Sequence, residues 1–128
     1  VSEGVSLDDV RVWATTAARA ASDKQGQDTI VLAVGEILAI TDAFVITTGA
    51  NPRQVRTICE AVEEAVKLAG GPAPIRIEGL GDASWVLIDY GDFVVHVMSE
   101  QARGLYALER LWADGELWAW DERQPAVV

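Results

Sequence analysis

Apolar and polar positions alternate along the chain with two different periods, and the change of period marks its elements. After Ser6-Leu7-Asp8-Asp9, apolar residues recur at helical spacing as Leu7, Val10, Ala14, Ala17, Ala18 and Ala21. Ser6 suits the N-cap because its hydroxyl can accept from a free first-turn amide, and the acids at positions 8 and 9 oppose the helix dipole. Gly26 is a natural stop. Two β-prone runs follow, Thr29 to Val34 and Ala43 to Thr47, and read as neighbouring strands. Asn51-Pro52 opens a second helix, with a cap side chain and a proline placed where no amide is needed. Its expected buried stripe is Val55, Ile58, Cys59, Val62, Val66 and Ala69, with Arg53, Arg56, Glu60, Glu63, Glu64 and Lys67 as polar positions around the rest. Gly70-Gly71-Pro72 ends that helix. A third strand is expected near Pro74 to Glu78, then a loop at Gly79-Leu80-Gly81-Asp82. Ser99-Glu100 caps one last helix carrying Leu105, Leu108, Leu111 and Trp112, weakened by Gly104. Beyond Gly115 the pattern fades: Trp118 and Trp120 are expected to pack back as an extended arm, with a frayed end after Asp121.

Between the third strand and the last helix lies WVLIDYGDFVVHVM, Trp85 to Met98. Two apolar runs about Gly91-Asp92 predict a hairpin with a type II′ turn, pairing Tyr90 with Phe93, Ile88 with Val95 and Trp85 with Met98. Side chains alternate across a strand, so Val86, Ile88, Tyr90, Phe93, Val95 and Val97 share a face that belongs under the helices. The opposite face collects Trp85, Leu87, Asp89, Val94, His96 and Met98, which is neither clean core nor clean solvent surface. Such a mixture fits the centre of a protein interface, where Trp and Met supply desolvatable area and Asp and His fix orientation. It equally fits a face covered by the last helix or by the Trp118 to Trp120 arm. Asp89 stands diagonal to His96, within reach of a charge-assisted contact.

The element order predicts an α/β (α+β) fold, one mixed sheet flanked by helices. With 128 residues, half of them apolar, the chain reads as a single domain over residues 1–128, with a core at about 5–113 and a partly flexible C-terminal arm at 114–128. The one cysteine excludes an internal disulfide. No apolar run approaches the roughly 20 residues that span a bilayer, and the N-terminus lacks a signal-peptide pattern, so a soluble protein of the cytoplasm is expected. Twenty acidic residues against ten basic ones give a net charge of −10. That charge disfavours nucleic acid and anionic membranes and favours basic partners, unless it serves solubility alone.

Candidate chemistry is thin. Asp89, Asp92 and His96 could be imagined as an acid/base or metal set, yet the chain has no second histidine to complete it. Cys59 falls on an apolar helix stripe, where a thiol acts as a small hydrophobe. Gly79 and Gly81 make only a GxG that leads into a strand, which argues against a dinucleotide site. Arg53 and Arg56 could face an acidic partner or a phosphate, although two arginines on a solvated helix need no such role. No cofactor is expected.

Three longer motifs carry a resemblance: DAFVITTGANPRQVRTICEAV at Asp42 to Val62, WVLIDYGDFVVHVM, and RGLYALERLW at Arg103 to Trp112. Together and in this order they resemble the ribosomal silencing factors of the Iojap family. The resemblance implies a non-enzymatic protein that docks on a basic large-subunit ribosomal protein, the one numbered fourteen, at the intersubunit face. There it would block joining of the small subunit and lower translation when nutrients are scarce. It also implies a nucleotidyltransferase-like fold without the catalytic carboxylates. Thr48-Gly49-Ala50 is the nearest match to that fold's Gly-Ser turn, and no Asp-x-Asp pair follows. Members often form dimers, so a homodimer is expected for the free protein. Family contacts carry over by position to Trp85, Asp89, Tyr90, Asp92 and His96, and the hairpin face adds Leu87 and Met98. The competing readings are a nucleotide-using enzyme and a homodimeric ribosome-assembly factor that uses the same hairpin face.

Overall fold

A computed structural model describes residues 4–38 and 40–121. In chain order it contains α1 (Leu7–Asp23), β1 (Gln27–Ala33), β2 (Ala43–Gly49), α2 (Pro52–Leu68), β3 (Arg76–Glu78), β4 (Trp85–Asp89), β5 (Phe93–Ser99), α3 (Glu100–Tyr106), α4 (Leu108–Leu111) and β6 (Glu116–Leu117). The strands form one six-stranded sheet in the order β3-β4-β5-β2-β1-β6. Only β2 and β5 run parallel, so the sheet is mixed, as the element order predicts.

Local chemistry accounts for the helix starts. Ser6 and Asp9 form a reciprocal capping box at α1, each side chain accepting the other's amide at 3.1 Å. Asn51 Oδ1 accepts from the Gln54 amide at 2.8 Å, and Pro52 occupies the first turn of α2. Val10, Ala14, Ala17, Ala18 and Ala21 form the buried stripe of α1, and their small size lets that helix lie close to the sheet. Leu7 is exposed instead, because it precedes the stripe at the helix mouth. Ala69, expected on the stripe of α2, is the exposed C-cap. The third strand is shorter than expected and starts only at Arg76.

Two apolar layers sandwich the sheet. Helices α1 and α2 cover one face, where Val31, Val45, Val55, Ile58, Val62, Ile88, Phe93 and Val95 are buried. On the other face Leu32, Val34, Phe44, Ile46, Met98, Ala102 and Leu108 form a smaller cluster under α3 and α4. The expected single last helix is in fact two. Ala107 takes a left-handed conformation (φ 46°) and breaks it, leaving Leu105 and Leu111 exposed while Leu108 turns inward.

The arm returns as expected within the described residues. β6 pairs with β1, Trp118 donates its amide to the Val31 carbonyl at 2.8 Å, and Trp120 Nε1 donates to the Thr29 carbonyl at 3.0 Å. Arg11 lies 5.0 Å over the Trp118 ring. The end after Asp121, expected to fray, lies outside the described residues. Among the described residues no helix is long and apolar enough to cross a membrane.

Candidate functional site: the mixed face of the hairpin

The predicted hairpin register is the observed one: Trp85 faces Met98, Ile88 faces Val95, and the Tyr90 amide donates to the Phe93 carbonyl at 3.0 Å. Gly91 has φ +86°, the positive value that the first position of a type II′ turn requires. Val86, Ile88, Tyr90, Phe93, Val95 and Val97 are all buried on the α1/α2 side, which confirms the core face.

The opposite face is split. Near the turn, Leu87, Asp89 and Val94 stay half-buried. At the far end Met98 packs with Phe44 and with Ala102 of α3, and His96 lies between Phe44 and Trp85, so that Met98 is 0% and His96 5% exposed. Met98 is therefore a core residue of the second layer, not the surface contact expected of it, and His96 likewise lies beneath the surface. The Trp118 to Trp120 arm does not cover the hairpin, since β6 sits at the other edge of the sheet.

Trp85 marks the boundary between the covered and open halves. Its ring is partly exposed and lies 4.5 Å from the ring of Tyr106, which is itself 52% exposed. Beneath it, Trp85 Nε1 donates to His96 Nδ1 at 3.1 Å. His96 also meets Phe44 edge-on, with ring centroids 4.9 Å apart, and Phe44 contacts Trp112 at 6.2 Å. Burial lowers the His96 pKa to about 4, so the imidazole is neutral near pH 7.

The expected contact between Asp89 and His96 is absent, because Asp89 is engaged elsewhere. One of its oxygens accepts from the Gly91 amide at 2.8 Å and the other lies 3.3 Å from Arg76 Nε. Register explains the exchange of partners: His96 stands opposite Leu87, so Trp85 and Asp89 are its two diagonal neighbours, and only Trp85 reaches it.

Tyr90 is 4% exposed and stacks on Phe93 at 4.6 Å, so its hydroxyl does not reach the rim. That hydroxyl has no hydrogen-bond partner among the described residues. Burial, with the charge of Glu63 adding to it, pushes the phenol well above its ordinary range. Asp92 sits half-buried in the turn, where its carbonyl accepts from the Asp42 amide at 2.8 Å and ties the hairpin to the start of β2.

Other candidate chemistry resolves into structure. Arg56 donates to the carbonyls of Leu80 at 3.1 Å and Gly81 at 2.8 Å, so it holds the loop before the hairpin. Gly79, at φ +92°, packs so tightly on the Trp85 carbonyl that a β-carbon there would collide with it. The GxG is thus a fitted turn: Arg56 takes the carbonyls of Leu80 and Gly81, and the Ala83 amide donates to that of Gly79 at 2.8 Å. Cys59 is buried on α2, and burial first, then the charge of Glu63, raises its pKa to about 12. Among the described residues no group of three or more His, Cys, Asp or Glu could hold a metal ion.

Sequence reasoning missed Phe44 and Tyr106 as parts of this site. Phe44 alternates with Val45 on β2, which marks the face it shares with Ile46 but not the strand beside it. Tyr106 precedes the helix break, and nothing local signals that its ring lies against Trp85.

The chain matches the family model "Ribosomal silencing factor during starvation" over residues 8–127. It is 37% identical over 101 residues to ribosomal silencing factor RsfS of Bacillus subtilis (strain 168), covering 79% of this chain and 85% of that protein. A mouse relative named "Mitochondrial assembly of ribosomal large subunit protein 1" is 29% identical over 92 residues, covering 70% of this chain and 40% of that one. Among solved structures, a Chromobacterium violaceum protein superposes with a TM-score of 0.77 at 33% identity, covering 81% of this chain and 86% of that one. The relatives' names describe a regulatory role, ribosomal silencing. From the capped α2 through the hairpin to the helices that follow it, the chain belongs to the ribosomal silencing factor family.

Proposed function

We propose that this protein docks on a basic large-subunit ribosomal protein, the one numbered fourteen, at the intersubunit face, and there prevents the small subunit from joining. Translation falls when nutrients are scarce because occluded large subunits cannot enter initiation. The observation that carries the reading is the partly exposed Trp85 packed at a tilt against Tyr106, beside half-buried Leu87 and Asp89 on the open half of the hairpin face. Aromatic anchors flanked by a carboxylate suit the centre of an interface with a basic surface. The net charge of −10 supports it, since complementary fields raise encounter rates between an acidic body and a basic one. Of the residues expected at the contact, Trp85, Leu87, Asp89 and Asp92 supply its surface, His96 and Met98 lie beneath it, and Tyr90 belongs to the core on the other side of the sheet. The protein works in the cytoplasm, where translating ribosomes are.

Pelleting purified large subunits through a sucrose cushion tests docking, and light scattering on adding small subunits tests occlusion. Co-sedimentation that Trp85→Ala weakens, with a matching loss of occlusion, is the expected result. A protein that stays in the supernatant at low salt defeats the reading.

A homodimer in the free state is the second reading, favoured by the exposed apolar side chains Leu105, Tyr106 and Leu111 of α3 and α4, of which Tyr106 lies against Trp85. Sedimentation equilibrium of Leu105→Ser decides whether those residues hold two copies together: a monomer mass supports the contact, and an unchanged dimer mass excludes it.

A further inference from the structure

We infer that His96 is a positioning residue for docking: its Nδ1 holds the only polar hydrogen of the Trp85 side chain inward, so Trp85 offers a partner a fixed surface of carbon and π electrons alone. This rests on the docking reading above and deepens it, because it reassigns the histidine from contact to support.

Three observations converge on it. Trp85 Nε1 donates to His96 Nδ1 at 3.1 Å, which makes Nδ1 the acceptor and puts the proton of the neutral ring on Nε2. Nε2 is buried without a hydrogen-bond partner among the described residues, so the imidazole gains nothing polar from being there except its bond to Trp85. A buried polar group in that condition is costly, and an apolar side chain would fill the same space at lower cost. The packing also fixes the imidazole itself. Phe44 meets it edge-on from β2, the pairing with Ile46 and Leu87 sets its height on the sheet, and the Trp85 ring lies 5.9 Å from it.

The consequence for recognition follows from bookkeeping of donors. An indole has one N–H and no acceptor, and here that N–H is consumed inside the protein. The tilted Trp85–Tyr106 ring pair, 4.5 Å between centroids, therefore engages its partner by packing and not by an indole hydrogen bond. A preset ring also spares the cost of immobilising it on binding.

The ¹⁵N spectrum of wild-type protein labelled at histidine tests the tautomer directly, since this chain has a single histidine. A protonated Nε2 and bare Nδ1 are expected, and a proton on Nδ1 overturns the inference. The indole N–H signals of the five tryptophans, with Trp85 assigned through Trp85→Phe, then report the bond itself. In His96→Leu the Trp85 signal should shift and exchange faster, and large-subunit affinity should fall about 10-fold. In His96→Asn, whose amide oxygen can take the place of Nδ1, both should largely return. An unmoved Trp85 signal in His96→Leu overturns the bond, and wild-type affinity in His96→Leu overturns the positioning role. If wild-type protein shows the bond but does not bind large subunits, the docking reading falls, and His96's part in docking with it.

Discussion

Arg103 Nε lies 3.2 Å from Oε1 of Glu109, and this ion pair bridges the break at Ala107 that separates α3 from α4. The same guanidinium donates to Thr48 Oγ1 on β2 at 2.9 Å and to the Asp28 carbonyl at 2.7 Å. Asp28 has φ 50° and sits where the pairing of β1 with β2 slips, so one side chain ties a bulge, a central strand and two helices together. The arginine side chain is 11% exposed and its carboxylate partner 36%.

Arg103→Ala should therefore cost about 2 kcal/mol or more, because it leaves the hydroxyl of Thr48 and the carboxylate of Glu109 without their partner. Arg103→Lys should recover only part, since an ammonium lacks the planar fork that serves three acceptors at once. Glu109→Gln, at a half-exposed position, should cost under about 1 kcal/mol. Urea unfolding of the three variants checks this order, and an Arg103→Ala protein as stable as wild type would remove the clasp from the account.

His96 gives stability a pH dependence of known sign. Its folded pKa is lowered to about 4 from 6.5, so below pH 6.5 the unfolded chain takes up a proton that the folded protein refuses. Stability is full above pH 6.5, falls as pH drops from 6.5 toward 4, and levels below that, losing about 3 kcal/mol from this group. The difference between wild type and His96→Asn across that window isolates the effect from the carboxylates. Parallel curves for the two proteins would show that His96 titrates normally.

Tyr90→Phe should be neutral or stabilising by up to about 1 kcal/mol, because it deletes a buried hydroxyl that has no partner and keeps the ring stacked on Phe93. Large-subunit binding should be retained. Thermal melts decide the first point, and a clear drop in melting temperature would mean that the hydroxyl is hydrogen-bonded in solution.

Cys59 should resist alkylation at pH 8. Burial and the nearby Glu63 charge raise its pKa to about 12, so the folded protein carries almost no thiolate and shields what little it has. Mass spectrometry after iodoacetamide should show unmodified native protein and complete labelling in urea. Equal labelling rates would place the thiol at the surface.

Much of the fold was legible because its signals are local. Ser6, Asn51 and Ser99 cap their helices through hydrogen bonds to amides three residues on, and such contacts are written in neighbouring positions. Gly91 and the alternation on either side of it specify the hairpin and its register for the same reason. The break in the last helix is not legible because the apolar spacing runs on across it: the left-handed turn at Ala107 carries no glycine to announce it. Arg56 looked like a free cation because its acceptors are backbone carbonyls in a loop more than twenty residues away, and a sequence does not display which carbonyls lie open.

By itself the sequence determined that the hairpin has two unlike faces, that one of them is core, and which family the chain resembles along most of its length. Period, turn chemistry and motif order are enough for that, since each depends on residues close together along the chain. Tertiary structure alone decided how the mixed face is divided. The parallel pairing of β2 with β5 brings Phe44 and Ile46 alongside His96, and α3 packs over Met98 while leaving Trp85 and Tyr106 at the edge. Burial on a sheet face is set by what packs across it, and those partners come from segments whose meeting no local pattern encodes.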